Sequence, residues 1–338
     1  MKNYRIILIL LPLLMTACEG TLVSPAGDSK NMSDFEAAWT RVNSVYPYLD
    51  YKNIDWNVVY DRYKPGAELA RGDEIFTVLI EMLGELKDGH VYVKTAGGEA
   101  IRTYYPRRWI RDKYSYDPKV VRTYYAGVPL ITGEGTIEYG FMPGNIGYIF
   151  MGTFDDNYLW KYFNGALEYV KNSDALILDI RHNNGGSRLN LKAVVSRFIT
   201  EPLELPDFYV LGELIPQEPF EPAGSFQYVN KVVILINGVS FSTGDIFPMI
   251  MKQLPNVILL GDTTGGGSSG STFSAPAEFE LPSGKKIFVG TTDWRDYNGL
   301  PLEWVGCAPD IYVPQTKADI EAGRDLQLES AIKLLMEK

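Results

Sequence analysis

A serine, a histidine and a carboxylate in this sequence have the side-chain types that acyl transfer requires. Ser242 follows the apolar stretch 232–237 and precedes another apolar run. A serine in a tight turn between a strand and a helix exposes its hydroxyl, and the free amides of the helix N-terminus favour a developing negative charge. Ser242 is therefore the candidate nucleophile, and the amide of Thr243 is expected to point toward the same space.

A serine hydroxyl is a weak nucleophile unless a base takes its proton, and a histidine is best matched to neutral pH. Of the two histidines, His90 and His182, the first follows a turn and precedes a strand, so that its ring can face a cleft. His90 is therefore the candidate base. Glu303 is the candidate carboxylate that orients it. Glu303 could instead be a surface carboxylate, with Asp88 or Asp245 in its role.

Two adjacent glycines, Gly185 and Gly186, follow an apolar strand. Such a pair lets the backbone approach a ligand closely and leaves amides free to donate, which is what an oxyanion hole needs. Both segments also have a simpler interpretation. The glycines could form a turn that starts a helix, and Ser242 or Asp245 could cap the next helix. Ser240, two residues before Ser242, is a candidate supporting residue.

The sequence pattern of the strands and helices that must position these residues predicts an α/β fold. Apolar strands alternate with helical segments from residue 145 onward, and their unbroken apolar character indicates that both faces of the sheet are covered. In an open sheet of this kind the ligand site lies beyond the carboxyl ends of the strands. Three segments follow predicted strands in this way: 179–187, 237–245 and 261–271. We therefore predict an α/β core over 145–338 that carries the site.

The residues before this core divide into a helical cap and a connecting segment. Ser33 and Glu36 have the spacing of a capping box, and helical periodicity continues through three stretches. We predict an N-terminal helical cap over 33–93 and a β-rich connecting segment over 94–144. The arginine-rich stretch 101–114 within that segment is either a solvated hairpin or loop beside a cleft, or a substrate-facing surface.

Residues 1–18 predict a lipoprotein signal peptide. Lys2 and Arg5 precede an apolar run that is too short for a membrane span, and small residues then precede Cys18. The sequence "LMTAC" resembles the lipobox of bacterial lipoproteins, which implies cleavage before Cys18 and diacylation of its thiol, with residues 19–32 as a flexible tether. Acyl chains anchor a protein at about 0.8 kcal/mol per buried methylene. The expected location is the bacterial cell envelope, facing the periplasm or the cell surface, and ordinary secretion is the alternative.

The composition argues against several classes of partner. The net charge of -10 disfavours nucleic acid, which needs a basic face. The glycine-rich stretch 263–271 lacks both the lysine and the following helix of a phosphate-binding loop, which disfavours a nucleotide. With two cysteines and two histidines, neither a disulfide framework nor a zinc site built from these residues is expected. We predict no cofactor and no metal.

Six segments occur in an order that resembles the tricorn and C-terminal-processing (tail-specific) serine peptidase family. They are "DGH", "GNIGYIFMGTF", "LDIRHNNGG", "NGVSFSTGDIF", "GDTTGGGSS" and "EWVGCAPDIYV", and the resemblance extends from about Ser33 to the C-terminus. It implies a crotonase-like (ClpP/crotonase-type) core. It also implies that Ser242 is the nucleophile and that the amides of Thr243 and of Gly185 or Gly186 form the oxyanion hole.

Members of this family activate the serine in two ways. The tail-specific branch uses a lysine where Gly267 stands here, whereas the tricorn-like branch uses a histidine that matches His90. The resemblance therefore implies Ser–His chemistry, with Glu303 as the orienting carboxylate. There are two departures, because Gly89 stands where tricorn-like enzymes have a serine, and 94–144 is too short for the PDZ domain of tail-specific enzymes. The organisation is most similar to that of PDZ-less bacterial lipoproteins in the family.

These observations together predict a membrane-anchored serine endopeptidase. It would cleave peptide bonds of a peptide or protein substrate through an acyl-enzyme on Ser242, with His90 as the general base. Two alternatives stay open at this point. One is a catalytically silent lipoprotein on the same fold that binds peptides or glycans, and the other is a serine esterase.

Overall fold

Ten α-helices and fourteen strands lie within residues 29–95 and 97–337, which the computed structural model describes. The helices are α1 (Ser29–Val45), α2 (Trp56–Leu69), α3 (Glu74–Gly84), α4 (Arg107–Asp112), α5 (Pro118–Val121), α6 (Leu159–Val170), α7 (Arg188–Val195), α8 (Thr243–Met251), α9 (Lys317–Glu321) and α10 (Leu326–Met336). The strands are β1 (Tyr92–Lys94), β2 (Ala100–Arg102), β3 (Leu130–Thr132), β4 (Ile137–Met142), β5 (Ile146–Met151), β6 (Ala175–Asp179), β7 (Phe208–Val210), β8 (Glu213–Leu214), β9 (Lys231–Ile236), β10 (Val257–Gly261), β11 (Glu278–Glu280), β12 (Lys286–Phe288), β13 (Thr292–Trp294) and β14 (Ile311–Tyr312).

A seven-stranded mixed sheet with the order β14-β10-β9-β6-β5-β4-β3 forms the core. The strands from β14 to β5 run parallel, and β4 and β3 are antiparallel to their neighbours. One face packs against α6, α7 and α8, and the other packs against α10 and the residues around Val121. Because both faces are covered, every residue of β6 is buried. The predicted α/β fold is thus confirmed.

The sheet order explains why residues from distant segments meet. Strands β10, β9 and β6 are neighbours and run parallel, so their carboxyl ends lie at one edge of the sheet. The segments 179–187, 237–245 and 261–271 follow these three strands directly. They therefore converge on the place where open α/β sheets hold their ligands.

Helices α1, α2 and α3 form the predicted cap, but it contains strands as well. Its apolar cluster includes Phe35, Leu79 and Ile287, the last of which lies in β12. A four-stranded antiparallel sheet with the order β11-β12-β1-β2 completes it. The cap therefore combines chain from before the core with a hairpin, β11–β12, that follows most of the core.

The start of the cap differs from the prediction. Helix α1 begins at Ser29 rather than at Ser33, within the predicted tether 19–32. Ser33 lies inside the helix, where its Oγ donates to the carbonyl of Ser29 at 3.0 Å, so it does not form a capping box with Glu36. A serine in a helix interior commonly bonds in this way, and the spacing alone cannot distinguish the two positions.

The predicted β-rich connecting segment 94–144 is partly wrong. It contains α4 and α5, and its strands β3 and β4 belong to the central sheet. The cause is a tight turn at 143–145, where Gly144 and Asn145 have φ values of 80° and 56°. This turn pairs β4 with β5 as a hairpin, so the central sheet begins before residue 145.

The predicted signal peptide 1–18, with Cys18, lies outside the described residues, as does the tether up to residue 28. In the described ranges, no helix has both the length and the apolar character needed to cross a bilayer.

Candidate active site

Ser242 lies immediately before α8, at the carboxyl edge of β9. Its φ of 60° and ψ of -122° are a backbone conformation that residues other than glycine rarely adopt. Its side chain makes no capping hydrogen bond to α8, and its Oγ has no partner anywhere in residues 29–95 and 97–337. The helix-cap interpretation of Ser242 is therefore wrong. The strained turn therefore presents the hydroxyl of Ser242 without a hydrogen bond to any other described residue.

Two backbone amides beside Ser242 are free to stabilise an oxyanion. The amide of Gly185 donates to Asn183 Oδ1 at 2.8 Å, whereas those of Gly186 and Thr243 find no acceptor in the described part of the chain. Thr243 Oγ1 donates to the carbonyl of Gly186 at 2.7 Å, which ties the two segments together. The geometry therefore favours Gly186 over Gly185 as the partner of Thr243.

Position 185 requires a glycine because the loop that contains it lies very close to the Ser242 turn. A Cβ there would lie 2.6 Å from the Cβ of Ser242, and a Cβ at Gly186 would overlap the backbone of Asp155. Gly185 and Gly186 also have φ values of 90° and 135°, in the region that favours glycine. The pair thus lets the strand-end loop pack directly against the Ser242 turn.

His90 lies between α3 and β1, with its two ring nitrogens in different environments. Nδ1 is 3.6 Å from Asp88 Oδ1 and 3.4 Å from Ser269 Oγ. Nε2 is buried and has no hydrogen-bond partner among the residues that the structure describes. The ring packs against Phe241 with centroids 4.5 Å apart. One nitrogen is therefore held in place, and the other is available.

His90 and Ser242 line the same cavity, of about 520 Å³. Gly186 and Thr243 line it too, so the candidate nucleophile, base and oxyanion donors share one solvent-connected space. Ser242 and His90 are not hydrogen-bonded to each other in this structure. Hydrogen bonds between catalytic groups often form only when substrate binds, so this arrangement is compatible with a pair that closes on a ligand.

Asp88 is the carboxylate that contacts His90. It is fully buried, and its Oδ2 accepts from the hydroxyls of Tyr46 at 2.9 Å and Ser269 at 2.5 Å. Burial alone would raise the pKa of Asp88, but the hydrogen bond with His90 and the positive charge of Lys52 hold that pKa well below its usual range. The carboxylate that faces the imidazole is therefore ionised at neutral pH.

Glu303 does not contact His90 and is connected to it through Lys52, Tyr46 and Asp88. Its Oε1 pairs with Lys52 Nζ at 2.7 Å, and its Oε2 accepts from the amide of Ser268 at 3.0 Å. Lys52 also donates to the hydroxyl of Tyr46 at 2.8 Å, and Tyr46 donates to Asp88. Burial and the negative charge of Asp88 raise the pKa of Glu303. Glu303 thus reaches the histidine through a chain of buried groups rather than by contact, and it is not a surface carboxylate.

Three members of this buried network, Lys52, Tyr46 and Ser269, were not predicted as site residues. A buried lysine has no signature in a hydropathy pattern, because lysines are usually exposed. Tyr46 lies next to the break after α1 and has no distinctive spacing. Ser269 did have a signal, since it belongs to the segment 261–271 that follows β10.

The remaining candidates have structural contacts. Ser240 is buried, and its Oγ donates to the carbonyl of Ile180 at 2.9 Å. Asp245 accepts from the amides of Gly266 and Gly267 at 2.8 and 3.1 Å. His182 Nε2 lies 3.1 Å from the carbonyl oxygen of Asp112, away from the cavity of Ser242. These groups shape the loops around the cavity without lining it.

Asp245 predicts a pH dependence of stability. Burial raises the pKa of Asp245 from 3.8 to about 6. Between these two values the folded protein holds the proton more tightly than the unfolded chain, so the free energy of unfolding should fall as the pH rises from 4 to 6. At about 1.4 kcal/mol per pKa unit, the change is roughly 2–3 kcal/mol. Asp245→Asn should remove it.

Urea unfolding at pH 4, 5, 6 and 7 measures this effect. The exposed Asp174, whose side chain has no hydrogen bond in the described residues, provides the control variant Asp174→Asn. The fall in the free energy of unfolding should be unchanged in the control and smaller in Asp245→Asn, where the remaining fall comes from Glu303, whose pKa is also raised. Parallel curves for all three proteins would show that Asp245 does not titrate as expected.

The sequence and the fold of this chain are similar to those of known peptidases. The sequence profile of Peptidase family S41 matches residues 145–313, half of the chain, and that of the Tricorn protease C1 domain matches residues 28–84. A solved structure of a candidate peptidase from Parabacteroides merdae has a TM-score of 0.78 and 29% sequence identity, and covers 92% of this chain and 98% of that one.

Two curated proteins show more distant similarity. A candidate tricorn protease homolog of Streptomyces coelicolor is 25% identical over 369 residues, and the carboxy-terminal processing protease of Bacillus subtilis is 22% identical over 273 residues. These matches cover 84% and 80% of this chain. The chain spans only 30% and 54% of the length of the two relatives.

Proposed function

Because the chain belongs to peptidase family S41, we propose that it is a serine endopeptidase that cleaves peptide bonds through an acyl-enzyme on Ser242. One observation carries this proposal. The strained Ser242 turn presents an unbonded hydroxyl in the same cavity as two free amides and the unpartnered Nε2 of His90. A residue that only completed the fold would not need this conformation.

In the proposed reaction, His90 Nε2 takes the proton of Ser242 Oγ as the oxygen attacks the peptide carbonyl. The amides of Gly186 and Thr243 donate to the oxyanion, and His90 then gives its proton to the leaving amine. Water, deprotonated by His90, then attacks the acyl carbon, and His90 returns this proton to Ser242 Oγ as the bond between the acyl carbon and Oγ breaks. Asp88 holds Nδ1 and stabilises the imidazolium that forms in each half-reaction.

The tricorn-like Ser–His arrangement is favoured over a Ser–Lys arrangement by the packing at position 267. No lysine lines the cavity of Ser242 in the described part of the protein. A side chain at Gly267 would overlap the ring of Phe241, which itself packs against His90. The same sheet order, with the site at the carboxyl ends of parallel strands, supports the further proposal that the core is crotonase-like.

Labelling with a fluorophosphonate tests the proposed function. A protein lacking residues 1–18 is treated with the reagent, and peptide mass spectrometry locates the adduct. We expect it on Ser242, followed by turnover of peptides in a panel that also contains esters. A folded protein that takes no label would favour the silent binding protein, and turnover of esters alone would favour the esterase.

We also propose that Cys18 carries a lipid anchor in the cell envelope, as the sequence of residues 1–18 suggests. In cells fed a clickable fatty acid, the protein should become labelled, and Cys18→Ser should abolish the label. The matched control is Cys307→Ser, because Cys307 is a buried free thiol and should not affect labelling. Undiminished labelling of Cys18→Ser would contradict the anchor.

A further inference from the structure

A second cavity, of about 710 Å³, adjoins the cavity of Ser242. Gly89 lines it, while the next residue, His90, lines the catalytic cavity. The loop after β10 is shared in the same way, with Gly266 in one wall and Ser268 in the other. We call this second cavity the basic cleft and define it by Lys87, Tyr104, Tyr105, Arg107, Arg108 and Trp304.

The positive charges of the basic cleft are not neutralised by the protein. Arg108 donates to two backbone carbonyls, those of Thr264 at 3.2 Å and Trp304 at 3.1 Å, and to no carboxylate. The side chains of Lys87 and Arg107 have no hydrogen bond or ion pair among residues 29–95 and 97–337. No aspartate or glutamate is among the residues that line the cleft.

This concentration of charge is unusual in a chain with a net charge of -10. Of the nearby carboxylates, Asp88 and Glu303 are buried and bonded to other groups, and Asp262, which interacts electrostatically with Arg108, is paired with Arg111 at 2.7 Å. The side chains of Lys87 and Arg107, which have no partner within the described protein, attract an anionic ligand, and a cleft focuses their field. The arginine-rich stretch 101–114 supplies two of the three cations, which favours the substrate-facing interpretation of that stretch.

The shape and position of the cleft indicate which anion it fits. Guanidinium groups bind planar carboxylates through paired N–H donors, and the cleft is also lined by Tyr104, Tyr105 and Trp304. The two cavities share the segments 89–90 and 266–268 in their walls, so the basic cleft lies beside the cavity in which the peptide would react.

We propose that the basic cleft binds a carboxylate of the peptide substrate and thereby selects acidic peptides. The proposal rests on the proposed peptidase function. The carboxylate has two sources, the C-terminus of the peptide or an aspartate or glutamate side chain. Both present the same group to Lys87, Arg107 and Arg108.

The experiment measures binding without turnover, so that its outcome is separate from that of the fluorophosphonate test. The full chain carrying Ser242→Ala, in mild detergent, is titrated calorimetrically with three octapeptides of otherwise neutral sequence. One has a free C-terminus, one is amidated, and one is amidated but contains two glutamates. The protein with an unchanged cleft should bind at least one carboxylate-bearing peptide about tenfold more tightly than the amidated neutral peptide. Tighter binding of the peptide with a free C-terminus identifies the C-terminal carboxylate as the ligand, and tighter binding of the glutamate-containing peptide identifies the side-chain carboxylate.

Adding Lys87→Ala and Arg107→Ala should remove that preference, since two exposed charge contacts account for about a tenfold effect. These side chains have no partners within the described protein, so the fold should be unaffected. The matched control is Arg71→Ala, which removes an exposed arginine outside the cleft and should leave the preference intact. Equal affinity for all three peptides, or a preference that survives the double change, would overturn the proposal even if Ser242 takes the label.

Discussion

Replacing Ser242 with alanine is expected to lower kcat by about 10⁴- to 10⁶-fold while leaving the fold intact. The hydroxyl is the only atom removed, and no group in the described residues bonds to it. The neighbouring amides of Gly186 and Thr243 remain, so a small residual rate from substrate binding and oxyanion stabilisation is expected. A fluorogenic peptide gives kcat, and circular dichroism gives the melting temperature.

Ser240→Ala should show the reverse pattern. Its hydroxyl is fully buried, donating to the carbonyl of Ile180 and accepting from the amide of Asn237 at 3.2 Å. Leaving these buried groups without a partner should cost about 1–3 kcal/mol of stability, with most of the activity retained. Retention of a tenth of kcat by Ser242→Ala would show that Ser242 is not the nucleophile, and failure of this variant to fold would favour a structural role for the hydroxyl.

The second large effect is expected for His90→Ala, which should lower kcat/KM by at least about 10⁴-fold. Without the imidazole, no base with a free nitrogen lines the cavity within the described residues. Labelling of Ser242 by a fluorophosphonate should weaken in parallel, because the same proton transfer activates the serine. His182→Ala is the matched control, since its ring packs against Tyr116 and does not line the cavity.

The contacts of His90 also predict which carboxylate supports it. Asp88→Asn leaves the geometry largely unchanged but presents an amide to Nδ1, so kcat should fall by about 10³- to 10⁴-fold. Glu303→Gln should have a much smaller effect, because Glu303 contacts Lys52 and the amide of Ser268 instead of the imidazole. Labelling that survives His90→Ala, or a larger loss with Glu303→Gln than with Asp88→Asn, would contradict this assignment.

The parts of this fold that could be predicted from the sequence are those in which the local pattern of apolar residues matches the burial of the same residues in the folded protein. Residues 175–178 of β6 are all apolar because the strand is buried on both faces, and this pattern is visible in the sequence. The candidate nucleophile and oxyanion donors stand at the ends of such strands, where the topology of an open sheet places ligand sites. The strand and loop assignments together therefore indicate where the candidate site lies.

What could not be predicted depends on contacts between distant segments. The pairing of β1 with β12 joins residues from the two ends of the protein, and no local periodicity indicates it. The choice between Asp88 and Glu303 depends on where Lys52 lies, and the burial of a lysine follows only from the packed structure. The sequence likewise does not show which of Gly185 and Gly186 supplies an oxyanion donor. The structure distinguishes them, because the amide of Gly185 already donates to Asn183 Oδ1.

The four-stranded sheet β11-β12-β1-β2 has a consequence for how such a protein can change over evolution. His90 is carried just before β1, and Val93 of β1 pairs with Ile287 of β12. A recombination event that exchanged the helical part of the cap alone would separate β1 from β12, the strand with which it pairs. We therefore expect the segment around His90 and the hairpin 278–288 to change together over evolution, although most of the core lies between them in the sequence.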